Sequence, residues 1–243
     1  MFKKIYVLNI IFIFIFSYKS YSQVVVEKIS RADSLFSLNK YEEAEQLYQD
    51  IFYNNRTYSE KMLVQLALIA SQKKDYVAYL YWLNLYFQVN PNAKIAEKVE
   101  NTANAYELTG YDLSDSRWFL VYYHHYYKFI ALFCCVVLSA LLILFFFSKQ
   151  RIVVFRRNGI FILLFLLISI LLLNVVPPIK EAVIAADSTY LMLAPSSASQ
   201  VAGIAPKGQK VNVVGENDVW LEVIWNKQKV FVKKTQVYFA DLF

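Results

Sequence analysis

The stretch SKQRIVVFRRNG, Ser148 to Gly159, carries four cations, Lys149, Arg151, Arg156 and Arg157, and no carboxylate. It separates two apolar runs. Phe129 to Phe147 holds nineteen uncharged residues, and Ile160 to Val176 holds seventeen, broken only by Ser169 and Asn174 and stopped by Pro177-Pro178. A helix rising 1.5 Å per residue needs about twenty apolar residues to cross about 30 Å of hydrocarbon, so both runs read as transmembrane helices, the second slightly short. Lysines and arginines close to membrane ends stay on the cytoplasmic side, which makes this stretch the inner turn of a hairpin and puts both outer flanks outside.

Charge is distributed in the same sense. Of the net +6, residues 1–22 hold +3 and residues 128–177 hold +5, whereas residues 23–127 carry −3 and residues 178–243 carry +1. The basic pI of about 9.1 is therefore not a property of either polar part. A nucleic-acid binder needs its cations on a folded face among stacking aromatics, so that class is excluded.

The N-terminus MFKKIYVLNIIFIFIFSYKSYSQ places Lys3 and Lys4 before an apolar run from Ile5 to Phe16 and ends in Ser20-Tyr21-Ser22. This is the layout of a secretory signal peptide cleaved after Ser22; an uncleaved anchor is the alternative, with a run short for a span. It exports residue 23 onward, in agreement with the loop charge. In a bacterial cell the outer space is the periplasm, and the chain is expected in the inner membrane. WFLVYYHHYYKF, at the mouth of the first span, has the Trp and Tyr of an interfacial belt.

Between Ile29 and Tyr111, apolar residues recur at helical spacing, interrupted at SLNKY, YNNRT, QKKDY, NPNAK and LTGY. The breaks NKY and KDY lie 35 residues apart, about the period of a helix-turn-helix repeat. On Ala32, Leu35, Ala44 and Tyr48, and on Leu66, Ala67 and Leu83 in the next unit, the segment resembles the tetratricopeptide repeat family, with Arg56 standing where that pattern has Pro. Tyr79, Tyr81, Trp82, Tyr86 and Phe87 crowd one helix. Two readings stay open for them: packing between repeats, or an aromatic groove for a peptide, with Tyr79, Trp82, Tyr86 and Phe87 as its candidate contacts.

From Glu181 the period becomes two. EAVIA, TYLML, QVAGIA, KVNVVG, VWLEVIW and KVFV are six short runs separated by APSSAS, PKG, GEND and NKQ, as in a small barrel. The segment resembles the bacterial SH3-like domain through APSSAS, PKGQKVNVVG and the Trp220 strand. Tyr190, Trp220 and Phe231 are its candidate partner contacts, with Trp220 also suited to the core.

Chemistry is sparse. His124 and His125 are adjacent, about 100° apart on a helix, and make a poor chelate. Cys134 and Cys135 fall within the first span. No phosphate loop, metal-ligand spacing or nucleophile elbow occurs, so neither an enzyme nor a cofactor or metal site is expected.

The expected fold class is a multi-domain membrane protein: an all-α TPR-like segment, a two-helix transmembrane hairpin and a small all-β SH3-like barrel. Its boundaries are 1–22 signal peptide, 23–112 helical repeats, 113–128 juxtamembrane helix, 129–148 and 159–177 spans around loop 149–158, and 179–243 barrel. This order, with RRNGIF, EAVI and PSSASQVAGIAPKGQKV, resembles the TPR and SH3 membrane component, component E, of the aerotolerance (Bat) operon. The resemblance implies a non-enzymatic scaffold with von Willebrand A domain membrane proteins as partners, alongside a MoxR-type ATPase. A cell-wall sensor whose barrel binds peptidoglycan is the alternative.

Overall fold

The computed structural model describes residues 23–147, 152–174, 176–240 and 242, without the side chains of 143–158. The expected signal peptide and Lys149 and Arg151 lie outside the described residues, as do the side chains of Arg156 and Arg157. Seven helices precede a sheet: α1 Gln23–Ser37, α2 Tyr41–Tyr53, α3 Glu60–Gln72, α4 Tyr76–Val89, α5 Ala93–Ala105, α6 Asp115–Phe147 and α7 Ile152–Asn174. The strands are β1 Glu181–Ile184, β2 Thr189–Met192, β3 Val201–Ala205, β4 Lys210–Asn217, β5 Trp220–Trp225, β6 Gln228–Lys233 and β7 Val237–Phe239.

All five sequence breaks fall between helices, and three of them have one geometry. Asn39, Lys74 and Glu107 adopt left-handed φ of 59°, 58° and 56° after α1, α3 and α5. In each case the next residue's N–H returns to a carbonyl five residues back: Lys40 to Leu35, Asp75 to Ala70 and Leu108 to Ala103. These bonds satisfy carbonyls that a helix end leaves free. The next helix is started by its own cap where one exists: the Asp75 carboxylate accepts from the N–H groups of Val77 and Ala78, and the Asn92 side chain from Lys94.

The chain divides into two compact units, residues 1–65 and 66–243. In the first, α1 and α2 pack on one another with Ala32, Ala44 and Tyr48 fully buried. Tyr48 Oη lies 2.7 Å from both Asp33 Oδ1 and Gln65 Oε1, two acceptors between which its single hydroxyl hydrogen is shared. Burial and the Asp33 carboxylate raise the Tyr48 pKa. Ion pairs Lys28–Asp50 and Lys61–Asp33 tie the helix surfaces.

In the second unit α4 is the central element. Eight of its fourteen residues are buried, from Val77 to Phe87, on more than one face of the helix, as expected of a helix covered on several sides. It packs on α5 and α6. The 33-residue α6 is the one described helix long and apolar enough to cross a membrane, over Asp115–Leu142 with mean hydropathy 1.8. Packed beside it, α7 is apolar over the shorter described stretch Gly159–Asn174. Tyr123 Oη donates to the Leu172 carbonyl at 2.6 Å, and a His124 ring nitrogen lies 2.9 Å from the Pro177 carbonyl, so the two helices run antiparallel.

The sheet is antiparallel throughout, in the order β3-β2-β6-β5-β4-β1-β7, with β3 and β7 as open edges. Every strand supplies a residue to one core, among them Ile184, Leu191, Ala205, Val213, Val223, Val232 and Val237, so the sheet rolls around it. The period-two reading finds six of the strands. It lacks β7, whose three residues follow a 3-10 turn at Lys234–Gln236 and pair with β1. Asn226 and Lys227, both at positive φ, form the two-residue β5–β6 turn.

Helices and sheet meet in a polar seam. Arg117 Nη2 of α6 stands 2.5 Å from Glu181 Oε2 of β1, and Lys210 Nζ of β4 stands 3.5 Å from Oε1. Asn84 of α4 bridges the pair, donating to Glu181 at 3.3 Å and accepting from Lys210 at 3.4 Å. Gln88 donates to the Ala240 carbonyl, Tyr111 to that of Gly208 and Gln209 to that of Thr109. Burial pushes the Lys210 pKa down against the opposing pull of Glu181. Folded below its unfolded value, Lys210 weakens the fold in full at pH below its lowered pKa. That cost is withdrawn as pH rises towards the ordinary lysine value of about 10.4.

Two glycines allow this close approach. At Gly110, with φ of 88°, an added Cβ would collide with the Lys210 carbonyl oxygen; at Gly208, with φ of 87°, it would lie 2.9 Å from Leu108 Cδ1. Gly110→Ala is expected to destabilise the chain by about 1–3 kcal/mol, read by denaturant unfolding in detergent. Glu181→Ala leaves two buried cations facing each other and is expected to cost about 3–5 kcal/mol in the same assay. Loss of less than 1 kcal/mol in both would mean that the seam is not closed in solution.

Candidate functional site

Strand parity sorts the side chains of the sheet. On β5, Leu221, Val223 and Trp225 contact the core, so Trp220, Glu222 and Ile224 face outward; on β6, Val230 and Val232 face in, leaving Lys229, Phe231 and Lys233 out; on β2, Leu191 is in and Tyr190 and Met192 are out. The register aligns these outward residues across neighbouring strands: Met192 opposite Phe231, Phe231 opposite Glu222, and Trp220 opposite Lys233. Tyr190, Phe231 and Trp220, singled out from sequence, thus share one face.

A shallow groove of about 320 Å³ runs along this face, walled by Tyr190, Met192, Ser197, Val201, Trp220 and Lys233. Its two aromatic rings play different parts. Tyr190 is 55% exposed and presents its ring to solvent. Trp220 faces outward yet is only 7% exposed, since neighbouring side chains cover it and Lys233 Nζ sits 5.5 Å from its ring centroid. Phe231 is half-buried and lies beside the groove wall through its pairing with Met192.

The rim is charged in pairs. Lys229 Nζ lies 2.9 Å from Glu222 Oε1, and Lys234 Nζ lies 2.9 Å from Glu216 Oε2, the hydrogen bond from Lys234 holding the Glu216 carboxyl below its usual range. Lys233 is committed to the Trp220 ring rather than to a carboxylate among the described residues. Aromatic surface with one ammonium group suits an extended segment of protein with an acceptor side chain, or the apolar face of a sugar ring.

The aromatic-rich α4 turns out differently. Trp82 and Phe87 are each 2% exposed, Phe87 set edge-on against Trp118 beside Ala96 and Val121. Tyr79 and Tyr86 are half-buried against the cluster of Leu80, Leu83, Val99 and Tyr111. Of the two readings left open for this helix, the burial of Trp82 and Phe87 favours packing at those two rings: α4 is covered on several sides.

His125 Nδ1 lies 2.6 Å from the Val89 carbonyl at the end of α4, so both histidines make backbone contacts, and among the described residues no cluster of three metal-binding side chains occurs. Sequence reasoning missed Arg117, Glu181, Lys210 and Lys233. A faint signal existed for two of them, since Glu181 and Lys210 open strands whose following residues alternate into the core.

No protein-family model matches the chain, and no curated protein is similar enough to match. Tyr190→Ala is expected to leave stability unchanged within about 0.5 kcal/mol, as for an exposed site. Trp220→Ala is expected to cost about 3 kcal/mol through the cavity it leaves, and denaturant unfolding separates the two.

Proposed function

We propose that the chain is a membrane-anchored, non-enzymatic scaffold whose sheet holds a segment of another envelope protein along the Tyr190–Trp220 groove. The observation that carries this reading is the exposed Tyr190 ring beside a groove on the outward side of the sheet. Support for anchoring comes from the apolar α6 and its packing on α7. If both helices cross the bilayer, the seam between residues 84–117 and 181–210 requires their flanks to share one side, as the signal peptide and the inner cationic turn also require. That side is the periplasm of a bacterial inner membrane.

The three equivalent helix ends at Asn39, Lys74 and Glu107 support reading α1 to α5 as TPR-like, and the rolled sheet supports an SH3-like relationship. With the sequence resemblance, these favour a Bat-type complex in envelope stress tolerance, with von Willebrand A domain proteins and a MoxR-type ATPase as associates. A second reading, a peptidoglycan sensor, is favoured by the exposed Tyr190 ring at the groove, since aromatic rings stack on sugar faces.

A photo-crosslinking residue placed at position 190 of the full chain, in native membranes, is expected to capture one protein. A second charge-removing variant, Lys233→Gln, is expected to weaken that capture. Capture of no protein sinks the scaffold reading, and retention of the detergent-solubilised chain on purified sacculi would transfer the groove to the wall.

A further inference from the structure

A second cleft, of about 660 Å³, lies between the start of α6, the Pro177–Glu181 segment and β4. That volume is typical of a small-ligand site. Three cations line it, Arg117, Lys180 and Lys210, against two carboxylates, Asp112 and Glu181. The wall therefore carries one excess positive charge.

The donors there are under-used. Glu181 is the one buried carboxylate, and it already faces both Arg117 and Lys210. The Arg117 Nε and Nη2 atoms are buried without a hydrogen-bond acceptor among the described residues, Nη2 having only its ion-pair contact with Glu181. Lys210 Nζ has three hydrogens, and besides the Tyr111 ring at 4.9 Å its contacts with polar atoms are long, at 3.4 and 3.5 Å. Buried donors in this state leave hydrogen-bonding free energy unclaimed, and an anion with several oxygens supplies what they lack.

The helix geometry adds to this. Ser114 caps α6, its Oγ accepting from the Arg117 N–H at 3.3 Å while the Trp118 N–H returns to the Ser114 carbonyl. Ser114 and Ser116, whose hydroxyls lie 2.9 Å apart at the start of this helix, line the same cleft.

We infer that this cleft binds an anionic phosphate group, supplied by a phospholipid headgroup, through Arg117, Lys180 and Lys210. Phosphate fits better than a single carboxylate because the donors come from three separate elements and converge on one cavity, which a tetrahedral anion can meet at several oxygens. A lipid is the favoured source because Leu120, Pro177 and Pro178, at the membrane-proximal ends of the apolar helices, form the opposite wall. Trp118 and Tyr122, stacked at 5.5 Å on the same stretch of α6, mark a headgroup level. The source, though not the phosphate chemistry, rests on the membrane reading of α6 and α7; the site is independent of the Tyr190 groove.

The test uses the full chain in a non-ionic detergent, titrated calorimetrically with dihexanoyl-phosphatidylglycerol, dihexanoyl-phosphatidylcholine and inorganic phosphate. Phosphatidylglycerol is expected to bind saturably at one site, and the zwitterionic lipid is not. Arg117→Lys, which keeps the charge facing Glu181 but loses the planar fork, is expected to weaken binding about tenfold or more. Lys180→Gln changes an exposed residue, so it is expected to weaken binding with no change in unfolding midpoint, which separates ligand loss from misfolding. Inorganic phosphate binding as tightly as the lipid, with the same variant losses, supports the phosphate site and overturns the lipid source. No saturable binding of either anion, or equal binding by wild type and both variants, overturns the site.

Discussion

A carboxylate taken out of water must be paired, and the Glu181 carboxylate is paired by groups from three other elements: Arg117 of α6, Lys210 of β4 and Asn84 of α4. Apolar contact alone is non-directional and would let the sheet slide across α4. The ionic cluster tolerates one register, because moving β1 along α4 would strand a charge. Gly110 and Gly208 serve the same constraint by bringing backbone to backbone where a Cβ would hold the surfaces apart. The stretch of chain before the apolar hairpin is thereby locked to the stretch after it.

How much of this was legible in the sequence follows from the range of each interaction. Helix breaks are local, and NKY, KDY and LTGY announced turns that share one left-handed residue and one backbone bond. Strand parity is also local, whereas the side-by-side order of β2, β6 and β5 that sets Tyr190, Phe231 and Trp220 on one face is not. The pairing of Arg117 with Glu181 joins residues on opposite sides of two apolar runs, and no periodicity spans that separation. The choice between packing and display for Trp82 and Phe87 stayed open for a related reason: an aromatic-rich helix looks alike in both cases, and only its neighbours decide. β7 is three residues long, too short to establish a period.

The division of labour within the sheet comes from its strand order. The seam engages β1, β4 and, through Tyr81 against Tyr238, β7, at one end of the order. The groove uses β2, β6 and β5. Both use outward side chains, and their separation along the strand order leaves those of β2, β5 and β6 clear of the helices.

Anchoring by charges rather than by apolar burial has a further consequence. An apolar seam of similar area would be more stable by itself, since desolvating three ionic groups is costly, and the lowered pKa of Lys210 records that cost. What the ionic seam provides is unsatisfied donor capacity at a defined place. Arg117 and Lys210 hold the sheet while keeping N–H groups uncommitted, so an anion entering the neighbouring cleft would complete the coordination that the fold leaves open. A group that binds there would stabilise the docked arrangement over any undocked one, by an amount that grows with its concentration relative to its dissociation constant.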